Sequence, residues 1–262
     1  MQESRLLMGM PITVAIADPH ATPDEINKIF SYFEYIDETF STYKLNSEIS
    51  RINAKKIIEA EYSDDMLEIL ALAEETKHET DGYFDIQKAD GTLDPSGIVK
   101  GWAVLKAAEL LRRDGFTNFY IDAGGDIQAD GLSSRGLPWH VGIRNPFSNN
   151  PASAIIKVLT ISNAGVATSG SYLRGNHIYN PKNRADNLTD VVSLTVIGPN
   201  VYEADRFATA AFAMGKKGID FIERLPGFEG YMIDANGVAT LTSGFNQFVV
   251  AKDAMAAEGQ RV

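Results

Sequence analysis

Helix-period stretches fill most of the first 115 residues of this chain and short strand-like runs most of the remainder, with no regular strand-helix-strand alternation between them. A parallel doubly wound sheet needs that alternation, so the pattern points to an α+β fold. The apolar, partly β-branched run from Ile12 to Ala17 reads as a strand. Thr22-Pro23-Asp24-Glu25 then supplies an N-cap, a proline at the first helical position and a capping-box acid. Ile26, Ile29, Phe30, Phe33, Ile36 and Phe40 form the stripe of an amphipathic helix, with Asp37 near its end and a break at Ser41-Thr42-Tyr43. The pattern predicts a second helix after Ser63, carrying Met66, Leu67, Leu70, Ala73 and Glu74 toward Asp81-Gly82, and a third from about Gly101 to Arg113. Strands are predicted at 118–122, 139–144, 155–161, 191–197, 230–233 and 247–251, a further helix near 203–214, and polar surface loops at 145–153 and 182–188.

A chain of 262 residues can bury a sizeable core as one large domain or two small ones. No repeat, low-complexity tract or linker divides it, so residues 1–262 read as a single functional domain with two lobes. Net charge is −11, with 24 Lys plus Arg against 35 Asp plus Glu, which opposes nonspecific binding to nucleic acid or to anionic membranes. An anionic ligand must then be held by local donors or by a cation. Cysteine is absent, which removes disulfides, thiol nucleophiles and thiolate metal sites. The start, MQESRLLMGMPITVAIAD, has neither a signal peptide's apolar core nor the length of a membrane span. The expectation is a cytoplasmic protein without stable membrane insertion, or an exported one whose leader has been removed.

Several segments carry groups suited to chemistry. In ADRFATA (204–210), Asp205 and Thr209 stand four residues apart, which stacks a carboxylate and a hydroxyl on one helix face and suits a hard cation such as magnesium or calcium. The same spacing more often serves a cap and a hydroxyl bonded back to its own helix. In DPSGIVKG (94–101), Gly97 permits close backbone approach, and Lys100 at a helix start can meet an anion; a plain turn with an exposed lysine is the alternative. The order GxxxxGK[ST] is missing, so this is not a P-loop. The run YIDAGGDIQADG (120–131) sets a diglycine between two acids, which marks a turn or a close approach. The segment 165–181 gathers Ser169, Gly170, Ser171, Arg174 and His177, one of four histidines in the chain and a base near neutral pH, although a lone histidine is more often structural. ATSGS is not GxSxG, which argues against a serine hydrolase.

Taken in succession, MGMPI (8–12), FSTYKLNSEISRIN (40–53), DGYFD (81–85), LDPSGIVKGWAV (93–104), DAGGDI (122–127), ATSGSYLRGNHIYNP (167–181) and ADRFATA (204–210) resemble the ApbE family, the FAD:protein FMN transferases. Each block alone is unspecific; the resemblance lies in their order and spacing. Two positions depart from the family's pattern: Pro95-Ser96 replaces the commoner Leu-Gly, and Asn180 stands where Asp usually precedes the proline.

The resemblance implies an α+β, ApbE-like two-lobed domain with mixed or antiparallel sheets and packed helices, and FAD bound between the lobes. It implies magnesium-dependent transfer of FMN from FAD to a Ser or Thr of a target flavoprotein, with release of AMP. By matching position, Asp205, Thr209 and the Gly97 carbonyl would bind Mg2+, with Ala208 nearby. Met8, Tyr43, Tyr83, Phe84, Asp94, Lys100 and Ile178 would contact FAD, and His177 would be the base on the acceptor hydroxyl. The acceptor would be another flavoprotein with a Ser/Thr-Gly-Ala-Thr segment, since this chain has none. The same residues also suit a magnesium-dependent FAD pyrophosphatase releasing FMN and AMP, or a noncatalytic FAD-binding protein.

Overall fold

In the computed structural model, residues 1–148, 150, 154–171, 179–183 and 188–250 are described. An eight-stranded sheet forms the centre of the structure, ordered β1-β2-β3-β4-β7-β8-β9-β10, and every described pairing in it is antiparallel. Its strands are β1 (Gln2–Leu7), β2 (Met10–Ile16), β3 (Phe119–Ala123), β4 (Asp126–Asp130), β7 (Ala164–Gly170), β8 (Val191–Gly198), β9 (Glu229–Asp234) and β10 (Ala239–Leu241). A separate hairpin, β5 (Trp139–Arg144) with β6 (Ile155–Ile161), packs on one face of the sheet. Helices α1 (Pro23–Phe40), α2 (Glu48–Asn53), α3 (Asp64–Glu79), α4 (Ser96–Arg113), α5 (Val201–Ala213) and α6 (Gly218–Glu223) complete the α+β architecture.

The period of two along the strands sorts side chains between the two faces. Ile12, Val14 and Ile16 of β2 stand opposite Ala123, Ile121 and Phe119 of β3, and these six bury against α1, α3 and α4. Farther along the same face, Ala167, Leu194, Val196 and Met232 pack under α5 and α6. On the opposite face Ala129, Val166, Ile197, Tyr231 and Ile233 meet Val141, Ile143, Leu159 and Ile161 of the hairpin. Strand β4 departs from this sorting. Its apolar residues Ile127 and Ala129 face the hairpin, whereas Asp126, Gln128 and Asp130 turn toward the helices, each with a helix partner.

Helix α1 starts where its capping box lies: the Asp24 amide donates to Thr22 Oγ1 and the Thr22 amide to Glu25 Oε2 at 2.9 Å. Its six stripe residues are all buried, and Asp37 pairs with Lys44 at 2.6 Å. Helix α3 is capped by Ser63, whose hydroxyl accepts the Met66 amide. Leu67 points outward, 41% exposed, because the buried face runs through Met66, Ile69, Ala73 and Thr76. Helix α4 begins at Ser96, five residues before the start read from the sequence, because Pro95 occupies the N-cap and Gly97 is already helical. The strand read at 247–251 is in its described part a 3-10 turn, Phe245–Phe248, followed by a single bridge between Val249 and Leu159. Among the described residues, no helix is long and apolar enough to cross a membrane.

Candidate active site

The site is built where α4 and α5 cross against the sheet, and two glycines make that crossing possible. A Cβ on Gly101 would lie 2.6 Å from Asp205 Cβ and 2.9 Å from the Val201 carbonyl oxygen. One on Gly97 would lie 3.3 Å from Thr209 Cγ2 and 3.3 Å from the Phe84 ring. Both positions are four apart on α4, as Asp205 and Thr209 are on α5, so each glycine faces one of the two oxygen-bearing side chains. Asp205 is held by the Gly101 amide, which donates to its Oδ2 at 2.8 Å. Thr209 Oγ1 is 3.5 Å from both the Gly97 carbonyl oxygen and Ser169 Oγ on β7, so three oxygens converge with only long contacts among them.

Helix α5 is fixed in turn from both sides. Asn200 accepts the Glu203 amide, and Gln128 of β4 accepts the Val201 amide, each at 2.9 Å. Beneath it, Gly165 and Gly198 pair across β7 and β8, and a Cβ on Gly165 would lie 2.0 Å from the Val201 nitrogen. The β3–β4 turn is Gly124-Gly125, with φ of 62° and 103°; diglycine supplies the two positive φ values a two-residue hairpin loop requires. The Gly125 amide donates to Asp122 Oδ1 at 2.7 Å, and burial pushes the Asp122 carboxyl above its usual range.

These elements line a cleft that opens to solvent. Tyr83, Phe84, Asp94, Gly97, Lys100, Asp205 and Thr209, all singled out from the sequence, line it. Ser169, Gly124 and Tyr179 line it too, and of these Tyr179 carried no signal of its own in the sequence. Its hydroxyl donates to the Asp85 carbonyl at 2.9 Å, closing one wall. Asn53 braces the approach to α4 by donating to the Leu93 carbonyl at 2.9 Å and accepting the Leu93 amide at 2.7 Å. Ala208 is fully buried in the apolar layer beneath α5. Met8 and Tyr43 do not line the cleft: Met8, with a φ of 52°, shares the β1–β2 turn with Gly9, and Tyr43 is 96% exposed after α1. His177 and Ile178 lie outside the described residues.

The electrostatics are unusual for a protein interior. Lys100 Nζ contacts Asp126 Oδ2 and lies 3.9 Å from Asp205 Oδ1, so two buried carboxyl groups share one ammonium. Burial, reinforced by the neighbouring Asp126 charge, pushes the Asp205 carboxyl well above the usual carboxylate range, and Lys100 offsets this only in part. Burial also opposes ionisation of Asp94, yet Lys88 at 2.7 Å and the Ser96 amide hold its carboxyl below the usual range. At the mouth of the cleft, the N-cap Pro95 gives α4 no side-chain bond and its first turn holds no acid, whereas α1, α2, α3 and α5 have both; the Ser96 amide is instead taken by Asp94, just ahead of the helix. The positive dipole end of α4 favours an anion. Among the described residues, no group of three or more His, Asp or Glu could hold a metal ion by itself. A set of one carboxylate, one hydroxyl and one carbonyl fits a hard cation that completes its shell with water and ligand phosphates.

The cleft thus brings the start of α4, Lys100, the buried Asp205 carboxyl and the Thr209 hydroxyl together in an antiparallel α+β fold. The ApbE family model matches residues 8–90 and 86–232, and the chain belongs to that family. The FAD:protein FMN transferase of Escherichia coli (strain K12) is 29% identical over 181 residues, 65% of this chain and 51% of that protein. The FAD:protein FMN transferase of Haemophilus influenzae is 26% identical over 270 residues, 79% of this chain and 77% of that protein. The match thus spans about half the length of the first of these relatives. Among solved structures, the flavin transferase ApbE from Vibrio cholerae superposes with a TM-score of 0.79 at 22% identity, covering 95% of this chain and 98% of that one. The ApbE protein from Thermotoga maritima superposes with a TM-score of 0.83 at 20% identity, covering 96% and 99%. Both place the fold.

Proposed function

We propose that this protein is a magnesium-dependent FAD:protein FMN transferase, joining FMN from FAD to a Ser or Thr hydroxyl of a separate flavoprotein. The observation that carries this reading is the convergence of Asp205, Thr209, the Gly97 carbonyl and Lys100 near the start of α4. Asp205, Thr209 and Gly97 would hold Mg2+, with Ala208 next to them on α5, and the ion would neutralise charge on the FAD pyrophosphate. Lys100 and the positive dipole end of α4 orient the same pyrophosphate. Tyr83 and Phe84 offer aromatic surface and Asp94 an acceptor for the rest of FAD. Met8 and the exposed Tyr43 serve a ligand that extends beyond the cleft, and Ile178 adds an apolar contact.

In the transfer, the acceptor oxygen attacks the FMN-side phosphorus and a new P–O bond forms as the pyrophosphate bridge breaks. AMP leaves with the electron pair, and the acceptor's proton passes to His177. The acceptor is expected to carry a Ser/Thr-Gly-Ala-Thr segment.

The test is to incubate the protein with FAD, Mg2+ and a flavoprotein domain bearing that segment, then read in-gel flavin fluorescence and AMP release. A chelator-sensitive covalent adduct supports the transferase. Free FMN and AMP without adduct would instead identify a pyrophosphatase, and FAD binding without either product a carrier. The variant His177→Ala is expected to retain FAD and lose about 100- to 10,000-fold in transfer rate; transfer at the wild-type rate would refute its role as base.

A further inference from the structure

We propose that Asp126 is a positioning residue: its carboxylate keeps the Lys100 ammonium off Asp205 and so leaves Asp205 open to a divalent cation. This rests on the reading of Asp205 as a cation ligand. Asp126 opens β4 immediately after the diglycine turn, and its side chain is 1% exposed. Oδ1 accepts the Thr168 amide of β7 at 3.2 Å, which fixes the carboxylate plane. Oδ2 is fully buried and meets the ammonium of Lys100 as an ion pair, and the Asp126 carboxyl also lies against the carboxyl of Asp205.

Lys100 rises from the first turns of α4 between two carboxyl groups, in contact with Asp126 and 3.9 Å from Asp205 Oδ1. Among the described residues Asp205 is the other acid in ion-pair range of Lys100, with Asp122 farther away. An ammonium drawn onto Asp205 occupies the oxygens a divalent cation needs and repels that cation as well. With Asp126 in place, the three side chains carry a net single negative charge when both acids are ionised, and the lysine has somewhere to stand while the cation binds. The Gly101 amide, bonded to Asp205 Oδ2, holds the other side of that carboxylate in register.

The test measures Mn2+ binding to the FAD-free protein from the paramagnetic resonance signal of free Mn2+, so the readout does not depend on turnover. Asp126→Asn preserves shape and the bond from Thr168 but removes the charge, and is expected to weaken Mn2+ binding about tenfold or more. Adding Lys100→Met to that variant restores the net charge and should return affinity close to wild type. Lys100→Met alone should bind Mn2+ more tightly than wild type, a result that stands even if Asp126→Asn folds poorly. Unchanged affinity in Asp126→Asn, or a loss that Lys100→Met does not recover, overturns the positioning role and leaves the cation site standing. Wild-type protein that binds no Mn2+ at millimolar concentrations overturns both. FMN transfer is assayed separately, so each failure is distinguishable.

Discussion

The crossing of α4 and α5 can be tested by adding one methyl group, as Gly101→Ala. In an exposed helix this change gains about 1 kcal/mol from propensity. Here the new Cβ would sit 2.6 Å from Asp205 Cβ and 2.9 Å from the Val201 carbonyl, where carbon atoms normally stand about 3.5–4.0 Å apart. Neither neighbour is the far end of a flexible side chain, so the helices must separate by about 1 Å, and overpacking of this kind costs about 1–3 kcal/mol. The same shift breaks the 2.8 Å bond from the Gly101 amide to Asp205, worth about 1 kcal/mol while that carboxyl is protonated and about 1.5–3 kcal/mol once it is ionised. The net expectation is a loss of about 2–4 kcal/mol, or roughly 5–15 °C in Tm for a domain of this size. Misplacing Asp205 by about 1 Å should also lower FMN transfer about 100-fold. Gly97→Ala is the internal comparison, because its contacts are 3.3 Å and a few tenths of an ångström of adjustment accommodates it. Thermal melts, Mn2+ titration and the transfer assay read all three effects. A Gly101→Ala protein that melts at or above the wild-type temperature with unchanged Mn2+ affinity would refute the close crossing on which the site depends.

Two further predictions concern stability. In chelator-treated protein the folded chain keeps a proton on Asp205 that the unfolded chain has already released, since burial raises the folded-state pKa. This contribution is fully present below the ordinary carboxylate range, near pH 4, and is lost as pH rises toward the folded value. The Tm of wild type relative to Asp205→Asn should therefore fall between about pH 5 and pH 8, and Mg2+ should stabilise wild type most at the upper end; a flat difference would contradict the buried, acid-paired environment. Asn53→Ala removes both bonds to Leu93 and should cost about 2 kcal/mol by denaturant unfolding, with no loss beyond about 0.5 kcal/mol indicating that the Leu93 segment is held by other contacts.

Features set by near neighbours were the ones legible in the sequence. The α1 cap and stripe, the Asp205–Thr209 spacing and the diglycine turn depend on neighbours within four or five residues, and each appears where its pattern lies. The ordered blocks also carried the family, and with it most of the residues that meet in the cleft. The pairing of Gly97 with Thr209 and of Gly101 with Asp205 joins segments more than 100 residues apart, and nothing within either segment declares it. Strand β4 was hidden for a different reason: Asp126, Gln128 and Asp130 alternate as a solvated face would, yet they point toward the helices and pair there with Lys100, the Val201 amide and Arg112. Strand β7 was equally faint, because it is built mostly of small residues, with Gly165 lying under the start of α5. Outward-pointing residues fill most of β1, which therefore lacks an apolar face to read.

On this reading the pyrophosphate of FAD and a divalent cation meet at the start of α4. Diffraction from crystals grown with FAD and Mn2+, recorded at the manganese absorption edge, tests it most directly. An anomalous peak is expected at coordination distance from Asp205, Thr209 and the Gly97 carbonyl, with pyrophosphate density beside Lys100 at the start of α4. A manganese peak elsewhere, or FAD bound with its pyrophosphate away from this cleft, would contradict it.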